Sequence, residues 1–139
     1  MKIKGLEALV RKLKKLPDDI IADAKAEIED AADMIVRDAG NAAPVDLGYL
    51  KGMIVSTPVR GGLGYKISSL AHYSAYVEFG TGTYVQVPLD LSAYAKQYIG
   101  KGDRLVNLPA RPFFFPAYYK HQDELIKSLE TMIKRNLNR

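Results

Sequence analysis

The chain has 139 residues (15.4 kDa), 47% of them hydrophobic, and a formal net charge of +4, which predicts a single domain over residues 1–139 with one apolar core. With no cysteine and only two histidines, His72 and His121, it lacks the residues for disulfides, a thiol nucleophile or a typical zinc site, and we expect no metal and no cofactor. No run of 18 apolar residues occurs, so we expect no membrane-spanning helix.

Apolar residues recur at helical spacing near both ends of the chain. Residues 1–16 form a basic N-terminal segment with an amphipathic helix predicted over 3–16, which Pro17 ends. A longer helix is predicted over 18–39, with an alanine-rich apolar stripe and Gly40 as its stop. From Pro116 onward the pattern predicts a C-terminal amphipathic helix.

The middle of the chain is patterned as strands. Residues 53–59 and 65–70 predict an antiparallel hairpin joined by the glycine-rich turn 60–64. Residues 72–79 are aromatic and β-rich, which predicts either a strand or a short helix that leads into one, and 111–115 predict a last strand or an extended turn.

Residues 84–109 form a long excursion with little regular patterning, which is typical of a functional loop. Within it, 84–87 alternate as a strand and 90–99 predict a short helix. The order of elements predicts an α+β fold, in which an antiparallel sheet of about four strands is packed by a long N-terminal helix and a C-terminal helix.

The net charge is segregated along the sequence. Six basic residues and Glu7 give residues 2–15 a charge of +5, whereas eight acidic and two basic residues give 17–38 a charge of −6. Residues 39–119 and 120–139 contribute +3 and +2. Such segregation is typical of solvated helix faces, and it also suits a chain that meets an oppositely charged copy or neighbour.

The candidates for catalytic chemistry are weak. The glycine-rich segments 61–64 and 80–83 lack a following Gly-Lys-Ser/Thr, so we interpret them as turns and not as phosphate loops. His72 and Glu78 are close enough in sequence to suggest an acid–base pair of a hydrolase, but a histidine at a strand edge is the preferred interpretation of His72. His121 falls on the polar side of the last helix, where we expect it to be exposed. We predict no enzymatic activity and no small-molecule substrate.

A small basic nucleic-acid-binding protein is the alternative function. The basic helix 3–16 and nine tyrosines provide charges for phosphate and rings for base stacking. Most of these tyrosines lie in the excursion and at its two ends, a distribution that fits a protein interface at least as well.

Three sequence stretches carry a family resemblance. They are APVDLGYLK at 43–51, YSAYVEFGT at 73–81 and ARPFFFPA at 110–117, which leads into the last helix. The candidate interaction or motif residues in them are Asp46, Gly48, Tyr76, Glu78, Phe79, Gly80, Thr81, Arg111, Pro112 and Phe113.

Together, over roughly residues 18–137, these stretches resemble the tail-component family of long-tailed bacteriophages and prophages, with its tail-completion and head–tail joining proteins. The resemblance implies a non-enzymatic virion protein, made in the bacterial host cytoplasm, that forms a homo-oligomeric ring, a hexamer, at the head–tail interface and is monomeric before assembly. The implied partners are further copies, the phage connector, the tail-tube proteins, and DNA that passes through the lumen without sequence readout. The excursion over 84–109 is longer than the connection typical of the family.

Local chemistry predicts roles for several of these residues. Asp46 is expected to close an Asx turn, and Gly48 to allow a positive φ there. Glu78 is expected on a strand and paired with Arg111, either within a subunit or across a ring. Of the three phenylalanines at 113–115, we expect two in the core and one at an interface.

Overall fold

The fold, seen in a computed structural model, combines a helix pair with a hairpin. The structure describes residues 6–44, 48–81, 87–95 and 108–138. In chain order the elements are helices α1 (Leu6–Leu13), α2 (Asp18–Ala42) and α3 (Gly48–Gly52), strands β1 (Ile54–Val59) and β2 (Gly64–Ser69), and helices α4 (Ser74–Phe79), α5 (Ser92–Ala95) and α6 (Phe114–Leu137), with 3-10 turns at Arg60–Gly62 and Leu89–Leu91. The predicted mixture of helix and sheet is confirmed.

The sheet in the described residues has two antiparallel strands, with Ile54 opposite Ser69 and Val59 opposite Gly64. The prediction of about four strands is therefore not confirmed. The segment 72–79 forms a turn and then α4, while 111–113 are unpaired and α6 begins at Phe114, ahead of Pro116. The strand predicted over 84–87 and the end of the helix predicted over 90–99 lie mostly outside the described residues.

Helices α2 and α6 form an antiparallel pair that contributes to both main parts of the core. At one end Leu129 packs against Ala24 and Ile28 of α2. At the other end Phe113 and Ala117 join the cluster with Ala39, Leu50 and Ile54, where the sheet and α3 meet the two helices. The alanine-rich stripe of α2 thus faces the core, where it meets α6 and the sheet.

Helix α2 continues past the predicted stop at Gly40 and ends at Ala42. Gly40 is helical and buried, and a Cβ atom there would lie 3.2 Å from the Lys51 side chain, so the missing side chain allows close approach of α3. Pro44 follows directly after the helix end, where a proline prevents its continuation.

His121 is buried between α2 and α6, so the expectation of an exposed histidine is wrong. Its Nε2 lies 2.7 Å from a carboxylate oxygen of Asp38 and its Nδ1 lies 3.0 Å from Glu124. Lys120 Nζ also donates to Asp38, at 3.3 Å. A doubly protonated imidazole donates to both carboxylates, whereas a neutral ring can donate to one only. Asp38 and His121 therefore link the two long helices through polar groups at the edge of their apolar contact.

The link makes stability depend on pH. The hydrogen bond from His121, and next that from Lys120, hold the pKa of Asp38 below its ordinary value of 3.8. Ionised Asp38 thus stabilises the fold at pH values above 3.8, and this contribution is lost as the pH falls through the lowered pKa. We expect Asp38→Asn to be less stable than the unchanged protein at pH 7, with the difference shrinking below pH 3.8.

Urea midpoints of both proteins, measured from pH 7 down to about pH 2, test this expectation. Asp123→Asn is the matched control, because Asp123 is an exposed residue of α6 without an ion pair among the described residues. Equal pH dependence of the two variants would contradict the assigned role of Asp38.

Candidate functional site

A cleft of about 620 Å³ lies between β2, α4 and the first turns of α6. On one side it is lined by five consecutive residues, 65–69. Because successive side chains of a strand point to opposite faces, such a run indicates that the edge of β2 borders the cleft. The remaining lining residues are Ser74, Ala75, Glu78, Phe79, Leu91, Phe113, Phe114, Phe115 and Tyr118.

The hydrogen-bond alternation of the hairpin determines which peptide groups face this cleft. Leu70 N–H donates to the Met53 carbonyl at 2.8 Å and so continues the ladder beyond β2. Bonded and non-bonded pairs alternate in antiparallel strands. Tyr65, Ile67 and Ser69 therefore turn their N–H and C=O groups away from β1, and within the described parts of the chain these outward groups have no backbone partner.

The two outer edges of the hairpin differ. Pro58 lies opposite Tyr65, at a non-bonded position, so the N–H that proline lacks would point away from β2. Its presence blunts the outer edge of β1 without removing a ladder bond, which is a common device of natural edge strands. The edge of β2 has no proline and keeps all its donors. The open edge of the sheet is therefore the one that borders the cleft.

Ser69 adds an unsatisfied group to this edge. Its hydroxyl oxygen is buried and has no hydrogen-bond partner among the described residues. Leaving such a group unpaired costs roughly 1–3 kcal/mol, so buried hydroxyls in folded proteins are nearly always bonded. The cleft thus combines a row of free peptide groups with a hydroxyl that lacks a partner.

Glu78 holds the other wall of the cleft together. It is 5% exposed, and its carboxylate accepts hydrogen bonds from the backbone N–H groups of Phe113 (2.7 Å), Phe114 (3.0 Å) and Phe115 (3.0 Å). The first N–H groups of a helix have no partner within the helix, and its N-terminus favours negative charge. Glu78 therefore caps α6 from α4. Its hydrogen bonds join the second sequence stretch, 73–81, to the third, 110–117.

The predicted pairing of Glu78 with Arg111 within a subunit is wrong. Glu78 lies on a helix and not on a strand, and no ion pair joins it to the exposed Arg111 within the ranges described. Instead the backbone N–H of Arg111 donates to the Val77 carbonyl at 2.8 Å. A pair between the two residues across a ring remains a prediction.

Gly80 and Thr81 fix the way the chain leaves α4. Gly80 has φ 76° and ψ −178°, a backbone conformation that only glycine adopts readily. Thr81 and Leu108 exchange two hydrogen bonds of 2.9 Å, one between backbone groups and one from Leu108 N–H to the Thr81 hydroxyl. The described residues that flank positions 82–107 are thereby held side by side.

The aromatic residues of the second and third stretches divide between core and cleft. Phe113 is 1% exposed, and Phe114 packs against the same core cluster. Phe115 packs on Phe79 and Leu91, with its ring 5.9 Å from that of Phe79. Two of the three phenylalanines at 113–115 thus contact the main core, as predicted, while an interface role for the third remains a prediction.

None of the other described candidate residues lines the cleft. Tyr76 is 37% exposed and Pro112 is also exposed. Gly48 begins α3 without a positive φ, so the turn conformation predicted for it is wrong. Asp46 lies outside the described residues. His72 is exposed, its ring 5.3 Å edge-on from Tyr73, and is not among the residues that line the cleft.

The tyrosines beside the cleft have perturbed acidities. Burial raises the pKa of Tyr118. Burial, and next the hydrogen bond that its hydroxyl donates to Asp90, raise the pKa of Tyr119 to about 12. Burial also raises the pKa of Tyr65, with smaller contributions from Glu29 and nearby acidic charge. The Tyr119 hydroxyl thus stays protonated well above neutral pH and donates to Asp90.

Sequence reasoning missed the residues of the β2 edge and the network of His121. A sequence signal for the edge does exist: Pro58 marks the outer side of β1, so the alternation places Tyr65, Ile67 and Ser69 outward on β2. The partner of His121 lies 83 residues away, and no local pattern indicates it.

The described residues contain neither a membrane-spanning helix nor a cluster of metal ligands. In the described part of the chain, no helix is both long and apolar enough to cross a membrane. The same residues contain no group of three or more potential metal ligands of the His, Cys, Asp or Glu type.

The fold and cleft define a small α+β protein whose sheet keeps one open edge. A family model described as "Bacteriophage HK97-gp10, putative tail-component" matches residues 7–80, more than half of the chain. The chain belongs to this bacteriophage tail-component family. No curated protein and no solved structure matches it significantly. The match includes α1, which lies outside the predicted resemblance over 18–137. It ends before the third stretch at 110–117, so the assignment of that stretch to the family remains a prediction.

The capping role of Glu78 predicts a specific pattern of stability changes. Glu78→Ala should lower the free energy of unfolding by roughly 1.5–3 kcal/mol, the range for hydrogen bonds to a charged group. Glu78→Gln should cost less, because its amide oxygen still accepts. Arg111→Ala should be nearly neutral, and the double variant should show additive effects in urea unfolding. A coupling energy above about 0.5 kcal/mol would show instead that the side chains of Glu78 and Arg111 interact.

The outward position of the Ser69 N–H predicts unequal effects of proline on neighbouring residues. Ser68→Pro removes a ladder donor and should lower stability by roughly 1–3 kcal/mol. Ser69→Pro removes an outward donor and should cost clearly less in the monomer. Thermal unfolding of the two variants at low protein concentration provides the comparison, and equal losses would mean that the outward N–H of Ser69 is already bonded in the monomer.

Proposed function

We propose that this tail-component protein acts in the virion as a tail-completion or head–tail joining protein, by assembly into a ring at the head–tail interface. Membership of the family supports a role in the virion. The observation that carries the assembly is the open edge of β2, with unpaired peptide groups at Tyr65, Ile67 and Ser69 in the described chain. Edges of this kind are usually protected in monomeric proteins, because they pair readily with other chains.

The chemistry of the cleft favours association over catalysis. Three serines, Ser68, Ser69 and Ser74, line it, but none of its lining residues is a histidine that would activate them. Both oxygens of Glu78 already accept hydrogen bonds from peptide groups of α6. A hydrolase centred on His72 and Glu78 would need these two side chains in one pocket, and His72 is not among the residues lining this one.

When identical subunits contact one another through two different surfaces, each subunit is rotated relative to the one before it. The assembly closes into a ring if this rotation divides a full turn evenly. A hexamer of this kind would meet the connector on one side and the tail tube on the other. Its lumen would pass DNA through contacts with phosphates alone, which carry no sequence information. In this proposal the protein has no small-molecule substrate and is made in the host cytoplasm before it joins the virion.

The oligomeric state tests the proposal. Light scattering on the purified chain over a series of concentrations should reveal a species of about six times 15.4 kDa, and electron micrographs should show rings with a central opening. A chain that stays monomeric at every concentration, even with the connector present as a template, would contradict the proposal.

Nucleic-acid binding is the second candidate function, and the exposed basic residues of α1 are the observation that favours it. In that case the chain would bind any DNA, with an affinity that falls steeply between about 50 and 200 mM salt. DNA binding by a monomer, together with no ring, would favour this second candidate.

A further inference from the structure

We infer that neighbouring copies dock through charge, with the basic end of α1 in one copy on an acidic stripe of α2 in the next. This inference rests on the proposed ring and names a contact between its subunits that is separate from the open edge of β2. We call the first surface the basic end; it consists of Arg11, Lys12, Lys14 and Lys15. We call the second the acidic stripe; it consists of Asp19, Asp23, Asp30 and Asp33.

The acidic stripe occupies one line along the outside of α2. At 3.6 residues per turn its four aspartates fall within about 80° of the helix circumference. All four are exposed, and they lie opposite the buried face formed by Ala24, Ile28, Ala32, Ile35 and Ala39. The stripe therefore points directly away from the core of its own subunit.

The stripe also contains small and apolar residues that suit a docking surface. Ala22 and Ala26 are exposed between the aspartates, and Met34 is 41% exposed beside Asp33. Short side chains allow another helix to approach closely, and a flexible methionine adapts to irregular surfaces. Besides its charge, the face thus offers apolar area that a neighbour can cover.

The basic end lies at the C-terminus of α1 and in the turn that follows. Its four basic residues are all exposed, and cations are favoured at the end of a helix where the carbonyl groups are free. Arg11 contacts the Glu7 carbonyl at 3.4 Å. The surface thus presents four positive charges in five consecutive positions.

The two surfaces are complementary but do not neutralise each other within one chain. Among the described residues, every ion pair involves either Asp38 or Glu124, and none joins the basic end to the acidic stripe. DNA would use the basic end alone, and the stripe would repel its phosphates. A second copy of this chain supplies four opposite charges to each surface, and contact between two different surfaces is the kind that closes a ring.

Charge reversal gives a sharp test. Variant A carries Lys12→Glu, Lys14→Glu and Lys15→Glu, so both of its surfaces are acidic. Variant B carries Asp23→Lys, Asp30→Lys and Asp33→Lys, so both of its surfaces are basic. Each variant alone should associate at least about tenfold more weakly than the unchanged chain, because like charges then face each other. An equimolar mixture of A and B should associate again, because every contact then joins opposite charges.

Light scattering at fixed low salt provides the readout, and circular dichroism checks that each variant is folded. The matched control is the variant Lys127→Glu, Lys134→Glu, Arg135→Glu, which makes the same change in charge as variant A at exposed positions of α6 and should assemble normally. If A or B fails to fold, salt titration of the unchanged chain decides, because surface charge contacts are screened as the Debye length shrinks.

The outcomes separate this inference from the proposed function. Rings that form equally well with A, B and the control, or that resist high salt, would overturn the charge contact and leave the ring proposal standing. An unchanged chain without any association would overturn both. Association of A alone or B alone, without need for the mixture, would also count against the contact.

Discussion

The capping of α6 by Glu78 is the interaction on which the arrangement around the cleft depends. A helix of 24 residues begins at Phe114, directly after Pro112 and Phe113, and none of these side chains can accept a hydrogen bond from its first peptide groups. Glu78 supplies the acceptor from α4, a single short helix 35 residues earlier in the chain. The same three bonds place Phe113 in the core and Phe115 against Phe79. One buried carboxylate thereby fixes where the last helix starts and which aromatic rings line the cleft.

The residues that form the core differ from those that form the unpartnered surfaces of the molecule. The antiparallel pair of α2 and α6 contributes about half of the buried apolar residues in the described chain, and the alanine stripe of α2 faces inward. The outer face of α2, which presents charge, and the edge of β2, which presents peptide groups, have no partner within the described parts of the chain. The two surfaces need different partners, because an acidic stripe selects a basic surface, whereas a strand edge selects an extended segment of any charge. Separate surfaces of this kind suit the joining role that we propose.

Elements with strong periodicity were predictable from sequence, and contacts between distant elements were not. The hairpin, α2 and α6 follow from apolar spacing, turn residues and Pro17. Helix α4 has only six residues, too few to tell a helix from a strand by period, and so Glu78 was placed on a strand. Its partners are backbone N–H groups, which every residue except proline has, so no side chain at 113–115 identifies them. Arg111 carries the charge opposite to that of Glu78, and for this reason the sequence predicts a pair between them. The family resemblance groups the two stretches, and the physical link between them is a helix cap and not an ion pair.

The paired hydrogen bonds of Thr81 and Leu108 have an evolutionary consequence. They hold together the two points where the chain leaves α4 and returns towards α6. Outside the segment around Leu91, which packs against Phe79 and Phe115, residues can be gained or lost between these points without moving either helix. Each doubling of the length of such a connection costs only about 0.6 kcal/mol in closure entropy. The base of this connection is thus a point at which the chain length can change while the rest of the fold is kept.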